Sequence, residues 1–367
     1  MKYLFIIQGE GRGHFTQALS MKNLLEKNGH KVTGIMVGSR AKHALPDFFV
    51  QKMDSEIFRF LSPNFLSTPK SKKSFLLISI LYNMLLIPAY IGSIFSIRRM
   101  IVEKQPDVVI NFYELLCGVT YGIFNSEVPM INIAHQYYFL TPEFEYTGTN
   151  KNKFKLLNFY SRMTALNSYK ILALSFRMNK DSRYENIFIV PPLLRREVIN
   201  QKKKTGNYIH GYILNSGYAK ELTEWSKLNL NERLHFFCDK KIEEQSVKLT
   251  PNLTMHALDD RLFLKFMAGC KGYATTGGFE SVCEAMYLQK PVLMVPTHIE
   301  QECNVMDAMR SGAGVTDDRF NLNILLAYIP QYAKTVEFKH WVHSSDSVFL
   351  YELTHIETKC SNIYSIL

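Results

Sequence analysis

The chain has 367 residues, 47% of them apolar and 21% charged, with no low-complexity tract. That excludes a disordered or fibrous protein, and the length exceeds one ordinary core, so two lobes of roughly 150–200 residues are expected. A formal charge of +10 suits an anionic partner; nucleic acid, phospholipid head groups and sugar phosphates would all satisfy it. No nucleic-acid-binding fingerprint is present and the run Lys202–Lys204 falls in a linker, so nucleic acid is not expected.

Tyr3–Gln8 reads as a first strand, and its apolar run is too short for the core of a signal peptide. A helix from about Phe15 to Asn28 and a strand over Lys31–Val37 complete a βαβ unit, which implies a parallel sheet. From Ser74 to Ile97 no residue is charged. Three readings stay open for that stretch. It can form one or two buried helices of the first lobe, or an apolar surface lying in a membrane interface with Lys72, Lys73, Arg98 and Arg99 on anionic head groups. It is also long enough to span a bilayer, although a span would put strands of one sheet on opposite sides of the membrane.

Further strands are expected at Val108–Phe112, Met130–Ala134, Ile171–Leu174 and Ile187–Val190. The segment Ile189–Val198 holds Pro191 and Pro192, which continue neither a helix nor a central strand, and the lobes divide there. A second series follows, with strands at Tyr208–Leu214, Leu234–Cys238, Leu253–Leu258, Gly272–Thr275 and Pro291–Val295. Its helices lie near Asp260–Ala268, Phe279–Tyr287 and Gln301–Ser311. The fold class is α/β, with two doubly wound Rossmann-like domains facing each other across a cleft. The expected boundaries are residues 1–192, 193–336 and a helical segment 337–367. Six cysteines at wide, irregular spacings without a C-x-x-C pair fit neither a zinc site nor a disulfide framework, and point to reduced thiols in the cytoplasm.

Two segments carry chemistry. Gly9–His14 (GEGRGH) joins the first strand to the first helix, so its backbone amides and His14 lie at the carboxyl edge of the strands, where open α/β sheets place ligands. Glu114 and His135 follow the strands Val108–Phe112 and Met130–Ala134 at the same edge. Together with His14 they form a plausible acid–base cluster, each with an alternative as a hydrogen-bonded loop residue; a general base there is worth roughly 10²- to 10⁴-fold in rate. In the second segment, Ala274–Asn304, Gly277 and Gly278 allow a tight turn whose amides face a diphosphate. Glu284 sits nearly two turns into the following helix, placed to accept two ribose hydroxyls, and Glu300 and Gln301 suit the hydroxyls of a sugar. No D-x-D occurs in the sequence, so charge on a diphosphate there is expected to be met by the helix dipole and backbone amides. Neither a metal nor a cofactor is expected.

The spacing from Gly278 to Glu284, then K-P, then P-x-x-x-E-Q at Pro296–Gln301, resembles the donor signature of UDP-glycosyltransferases. It also resembles that of the transferase that adds N-acetylglucosamine to the lipid-linked precursor of peptidoglycan. G-F-E-S-V-C-E-A with E-Q-E-C-N, and GRGHFTQAL followed by GHKV, look more like a group of uncharacterised bacterial and archaeal glycosyltransferases of the GT-B fold related to both. The resemblance implies a metal-independent transferase. Its N-terminal domain (1–192) binds an acceptor, its C-terminal domain (193–336) binds a nucleotide-sugar, and the last helices return to the first domain. It makes Glu284 the ribose ligand, Gly277, Gly278, Phe279, Glu280 and Ser281 the phosphate-side turn, and Glu300, Gln301 and Asn304 the sugar-side contacts. Ser216 and Gly217 add a second phosphate contact, Gly11, Arg12 and Gly13 form the acceptor-side loop, and His14 matches the proposed base. Three positions depart from the pattern: Gln289 stands where relatives usually have Gly, Thr276 where plant enzymes carry His, and Asn111 where close relatives often have Asp. The last makes Glu114 the substitute partner for His14.

The uncharged stretch favours a lipid or polyprenyl-linked acceptor, and with it a peripheral place on the inner face of the cytoplasmic membrane. Two competing readings share the architecture: a nucleotide-sugar 2-epimerase, and a non-catalytic nucleotide-sugar-binding subunit.

Overall fold

Strands that are apolar on both faces must be covered by helices on both faces. The computed structural model describes residues 1–40, 44–63, 83–179, 182–202, 204–213, 217–238, 245–334 and 336–356. The first sheet holds β1 (Lys2–Gln8), β2 (Lys31–Ser39), β3 (Ile57–Leu61), β4 (Val108–Phe112), β5 (Met130–Ala134), β6 (Lys170–Leu174), β7 (Arg183–Tyr184) and β8 (Ile187–Val190). Their order is β3-β2-β1-β4-β5-β6-β8-β7, parallel except for the β7–β8 edge. Its helices are α1 (Gly13–Lys27), α2 (Asp47–Lys52), α3 (Ile87–Lys104), α4 (Leu115–Ile123) and α5 (Lys151–Thr164).

After α6 (Arg196–Ile199) the second sheet collects β9 (Ile209–Ile213), β10 (Leu234–Cys238), β11 (Ser246–Thr250), β12 (Leu253–Ala257), β13 (Gly272–Thr275), β14 (Val292–Met294) and β15 (Gly314–Thr316). The order is β11-β12-β10-β9-β13-β14-β15, with β11 the antiparallel edge. Helices α7 (Gly217–Leu228), α8 (Asp260–Gly269), α9 (Phe279–Tyr287), α10 (Ile299–Arg310) and α11 (Leu322–Tyr328) cover it. The strand order reverses between β1 and β4 in one sheet and between β9 and β13 in the other. Connections leaving a reversal part to opposite faces and open a crevice at the carboxyl ends of the strands. His14 and Glu114 flank the first crevice; Gly217 and the Gly277–Gly278 turn flank the second.

Four strands escape a reading by apolar runs. β3 and β15 are edge strands, β7 has two residues, and β11 (SVKLT) is a polar edge. The uncharged stretch reads differently too. Its residues 74–82 lie outside the described part, and the remainder runs on as α3 through Arg98 and Arg99 to Lys104. α3 buries Tyr90, Ile94 and Ile97 but leaves Ile87, Ile91 and Phe95 about half exposed, so this part is not a buried helix. Among the described residues no helix is long and apolar enough to cross a membrane.

Beyond the second sheet, α12 (Glu337–His343) packs on α9, with His343 against Tyr287, and reaches the first lobe through Trp341, while α13 (Ser345–Thr354) packs on the first lobe. Tyr3 Oη donates to the Leu353 carbonyl at 3.2 Å, Lys170 Nζ pairs with Glu352 at 2.7 Å, and Trp341 Nε1 donates to the Ser175 carbonyl at 3.1 Å. Cys117, Cys238, Cys270, Cys283 and Cys303 are buried free thiols.

Three histidines on neighbouring strands fill one side of the second sheet. His210 lies opposite His235 in register, and His235 Nδ1 is 3.0 Å from His256 Nε2, with Phe263, Phe266 and Tyr273 packed around them. Burial pushes His210 down to about 3 and His235 down to about 4. The unfolded chain takes up these protons near pH 6.5 while the folded chain refuses them, so their contribution to stability is lost as the pH falls below 6.5. Burial acts oppositely on Glu114, Glu280 and Asp307, which are pushed up to about 7, 8 and 7. The difference between variants isolates one group from this balance. His210→Phe is expected to flatten the acid side of the urea-unfolding profile, between pH 6.5 and 4, by about 1.4 kcal/mol per pH unit, the worth of one proton.

Candidate active site between the lobes

The turn between β13 and α9 is held from inside its own lobe. Gly277 has φ +84°, and a Cβ there would lie 2.7 Å from Val305 Cγ2. Asn304 Nδ2 donates to the Gly277 carbonyl at 3.2 Å. Gln301 Oε1 accepts from the Thr297 amide at 2.9 Å, while its Nε2 donates to Thr276 Oγ1 at 3.2 Å. The sequence assigns Gln301 and Asn304 to the sugar; in this structure their amides brace the glycine turn. Ser281 Oγ bonds back to the Gly278 carbonyl at 3.2 Å. No side chain caps α9 at Gly278, so the cap residue leaves its first amides and the positive end of the helix dipole without a side-chain acceptor.

The start of α9 presses on the first lobe. Phe279 stacks on His135 with ring centroids 4.0 Å apart and packs against Phe176. Glu280 Oε1 accepts from Gln17 Nε2 at 2.5 Å; Oε2 is buried without a partner, and burial pushes this carboxyl up to about 8. Gly13 lies against the same side chain, since a Cβ there would be 3.1 Å from Glu280 Cγ. Gln136 Nε2 donates to Glu300 Oε1 at 2.9 Å, and Arg12 pairs with Asp260 at 3.1 Å. Gly11, with φ +85°, is the exposed corner of the loop between β1 and α1.

His14 opens α1 and stacks on Tyr113 at 5.9 Å. Its Nδ1 is buried without a hydrogen-bond partner, and burial lowers its pKa against the upward pull of Glu300. Tyr113 holds φ +61°, a backbone conformation costly for an aromatic residue and characteristic of functional sites. Glu114 turns elsewhere. It caps α4 by accepting from the Leu116 amide and accepts from Ser62 Oγ at 2.5 Å, with Oε2 against Gly38. Asn111 bonds Asn132 and the Glu114 and Thr164 carbonyls, locking the end of β4. His135 Nδ1 donates to the Leu174 carbonyl at 2.7 Å, and burial among Phe139, Phe176 and Phe279 pushes it down to about 3. Its bare Nε2 faces Asp307 Oδ2 at 3.9 Å. All three residues sit at strand ends of one sheet edge, but no hydrogen bond joins them: Glu114 serves as a helix cap and His135 as part of an aromatic seam.

Glu284 is 3% exposed and bound by an arginine from the connector. Arg195 Nε donates to Oε1 at 2.7 Å and Nη2 to Oε2 at 3.3 Å. Gly217 opens α7, and Ser216 lies outside the described residues. Among the described residues no group of His, Cys, Asp and Glu is arranged to hold a metal ion. Lys290 is buried and donates to the Lys204 and Cys270 carbonyls.

Residues 1–331 match the family model of glycosyl transferase family 1. The chain belongs to that family. Solved glycosyltransferases share its fold. The kitacinnamycin glycotransferase superposes with a TM-score of 0.62 at 14% identity, covering 96% of this chain and 98% of that one. UGT89C1 of Arabidopsis thaliana, complexed with UDP-L-rhamnose, gives 0.61 at 12% identity over 96% and 98%. UGT2 of Phytolacca americana, complexed with UDP-2fluoro-glucose and pterostilbene, gives 0.60 at 10% over 96% and 98%. These place the family 1 chain in the GT-B fold, with two Rossmann-like sheets. No curated protein sequence matches it significantly.

Sequence reasoning missed Arg195, Gln17, Gln136 and Tyr113. Gln17, three residues beyond His14 on α1, shares its helix face, a spacing visible in the sequence. Arg195 carried a weaker signal, an arginine pair separated from the diproline by two residues. Gly277→Ala is expected to cost about 1–3 kcal/mol in urea unfolding, from the left-handed backbone, and to shift the turn off Val305.

Proposed function

We propose that the protein transfers a sugar from a UDP-sugar to a hydroxyl of a lipid or lipid-linked acceptor, without a metal ion. The observation that carries this reading is the uncapped start of α9 at the β13 strand end, with unpartnered His14 Nδ1 across the seam. UDP-sugars in two proteins of the same fold support the donor class. In this reading the amides of Gly278, Phe279 and Glu280, with Ser281 beside them, take the diphosphate, and Ser216 and Gly217 add a second contact from the turn after β9. Glu284 accepts the ribose hydroxyls. Glu300 binds the sugar, with Gln301 and Asn304 fixing the turn beneath it. The loop Gly11–Gly13 receives the acceptor.

His14 is the general base. Burial lowers the His14 pKa and so favours the neutral imidazole, the form that accepts the proton of the acceptor hydroxyl. As the acceptor oxygen attacks the anomeric carbon, the bond to the diphosphate breaks. The negative charge left on the diphosphate meets the helix dipole and amides in a nearly dry seam, where such dipoles act most strongly. Labelled UDP-sugars incubated with membrane lipid extract in EDTA test the assignment: a labelled glycolipid supports it, whereas an epimerised donor or binding without turnover overturns it. His14→Gln is expected to lower kcat by roughly 10²- to 10⁴-fold with UDP affinity unchanged.

The lipid acceptor and a place on the inner face of the cytoplasmic membrane draw support from α3. Ile87, Ile91 and Phe95 recur every four residues on its exposed side, next to Leu85, which is 81% exposed, and to Arg98 and Arg99. Phe95 and Arg98 both pack on Phe124. Ile91→Glu with Phe95→Glu is expected to abolish co-sedimentation with anionic phospholipid vesicles, while turnover of a short-chain soluble acceptor persists.

A further inference from the structure

Arg195 belongs to neither sheet. It stands three residues after Pro192 at the start of α6, behind Leu193 and Leu194, which are buried in the core. Its guanidinium grips both oxygens of Glu284, at 2.7 and 3.3 Å, with side-chain exposures of 14% and 4%. Nη1 lies 3.4 Å from Asp260 Oδ2 at the start of α8, and Asp260 Oδ1 accepts from Arg12 in the loop that carries His14. A chain of charges therefore runs from α9 through the connector to the first lobe.

A carboxylate offers about four lone-pair positions. The arginine fork takes one on each oxygen and fixes the plane of the group, leaving one on each. Two vicinal ribose hydroxyls need that number. We propose that Arg195 is a positioning residue for the donor: it holds the Glu284 carboxylate in the one plane that meets the 2′- and 3′-hydroxyls of the ribose together, and ties that plane to the connector between the lobes. A lysine supplies the charge without the fork, and a methionine supplies neither. The inference rests on the proposed role of Glu284 as ribose ligand, and the test separates the two.

The affinities of the full-length protein for UDP, 2′-deoxy-UDP and 3′-deoxy-UDP are to be measured for wild type, Glu284→Gln, Arg195→Lys and Arg195→Met, with urea midpoints for each. Wild type is expected to prefer UDP by about 10- to 100-fold, the range for hydrogen bonds to a charged group. Glu284→Gln should lose most of that preference. In Arg195→Met the preference should fall towards one, and the KM for the donor should rise more than kcat falls; Arg195→Lys should lie between. A role in stability alone would move the urea midpoint and leave the preference intact. If Glu284→Gln loses the preference while both Arg195 variants keep it, the positioning role is overturned and the ribose assignment stands. If wild type has no preference, or Glu284→Gln retains it, the ribose assignment fails and this inference with it. Arg195→Lys, which keeps a cation beside Glu284, supplies the readout should Arg195→Met not fold.

Discussion

A charge taken out of water must be met by another group, and along the seam of this protein that group comes from across the lobe boundary. Arg12 meets Asp260, Gln17 meets Glu280, Gln136 meets Glu300, Arg177 meets Asp307 and the connector's Arg195 meets Glu284. Each pair takes one member from the second lobe and one from the first lobe or the connector. A single pair of this kind adds little net stability, because desolvation offsets the attraction. Together they hold the start of α9 against the turn that carries His14.

Within the seam, aromatic contact and polar pairing do different jobs. The Phe279–His135 stack, with Phe176 beside it, contributes about 0.5–1.5 kcal/mol beyond the area it buries. It also keeps water from the neighbouring polar groups, which makes each remaining dipole more effective. Several polar atoms there still lack a protein partner: His14 Nδ1, Glu280 Oε2, Asn304 Oδ1 and Asp307 Oδ2. Buried atoms of that kind are costly, and these four lie along the seam.

The fold was legible because its inner strands are short and mostly apolar on both faces, two of them following Pro106 or Pro129. Val108–Phe112, Met130–Ala134, Ile187–Val190, Leu234–Cys238 and Gly272–Thr275 fall where the sequence places them. The edges were not legible, since β11 and β15 carry no apolar run and owe their conformation to pairing. In the site, the Gly277 turn and the start of α9 followed from local spacing. The partners did not. Nothing local to Glu284 announces Arg195, 89 residues away, and nothing in the strand ends says that Glu114 turns back to cap its own helix. Side-chain direction at a strand end is decided by tertiary neighbours such as Ser62 and Gly38.

The return of α12 and α13 to the first lobe means that the backbone passes between the lobes twice, once near Pro191–Pro192 and again ahead of Glu337. A body held to another at one point can swivel in any direction; held at two, it keeps a single rotation, about the line through both. Two crossings restrain relative movement of the lobes more than one would.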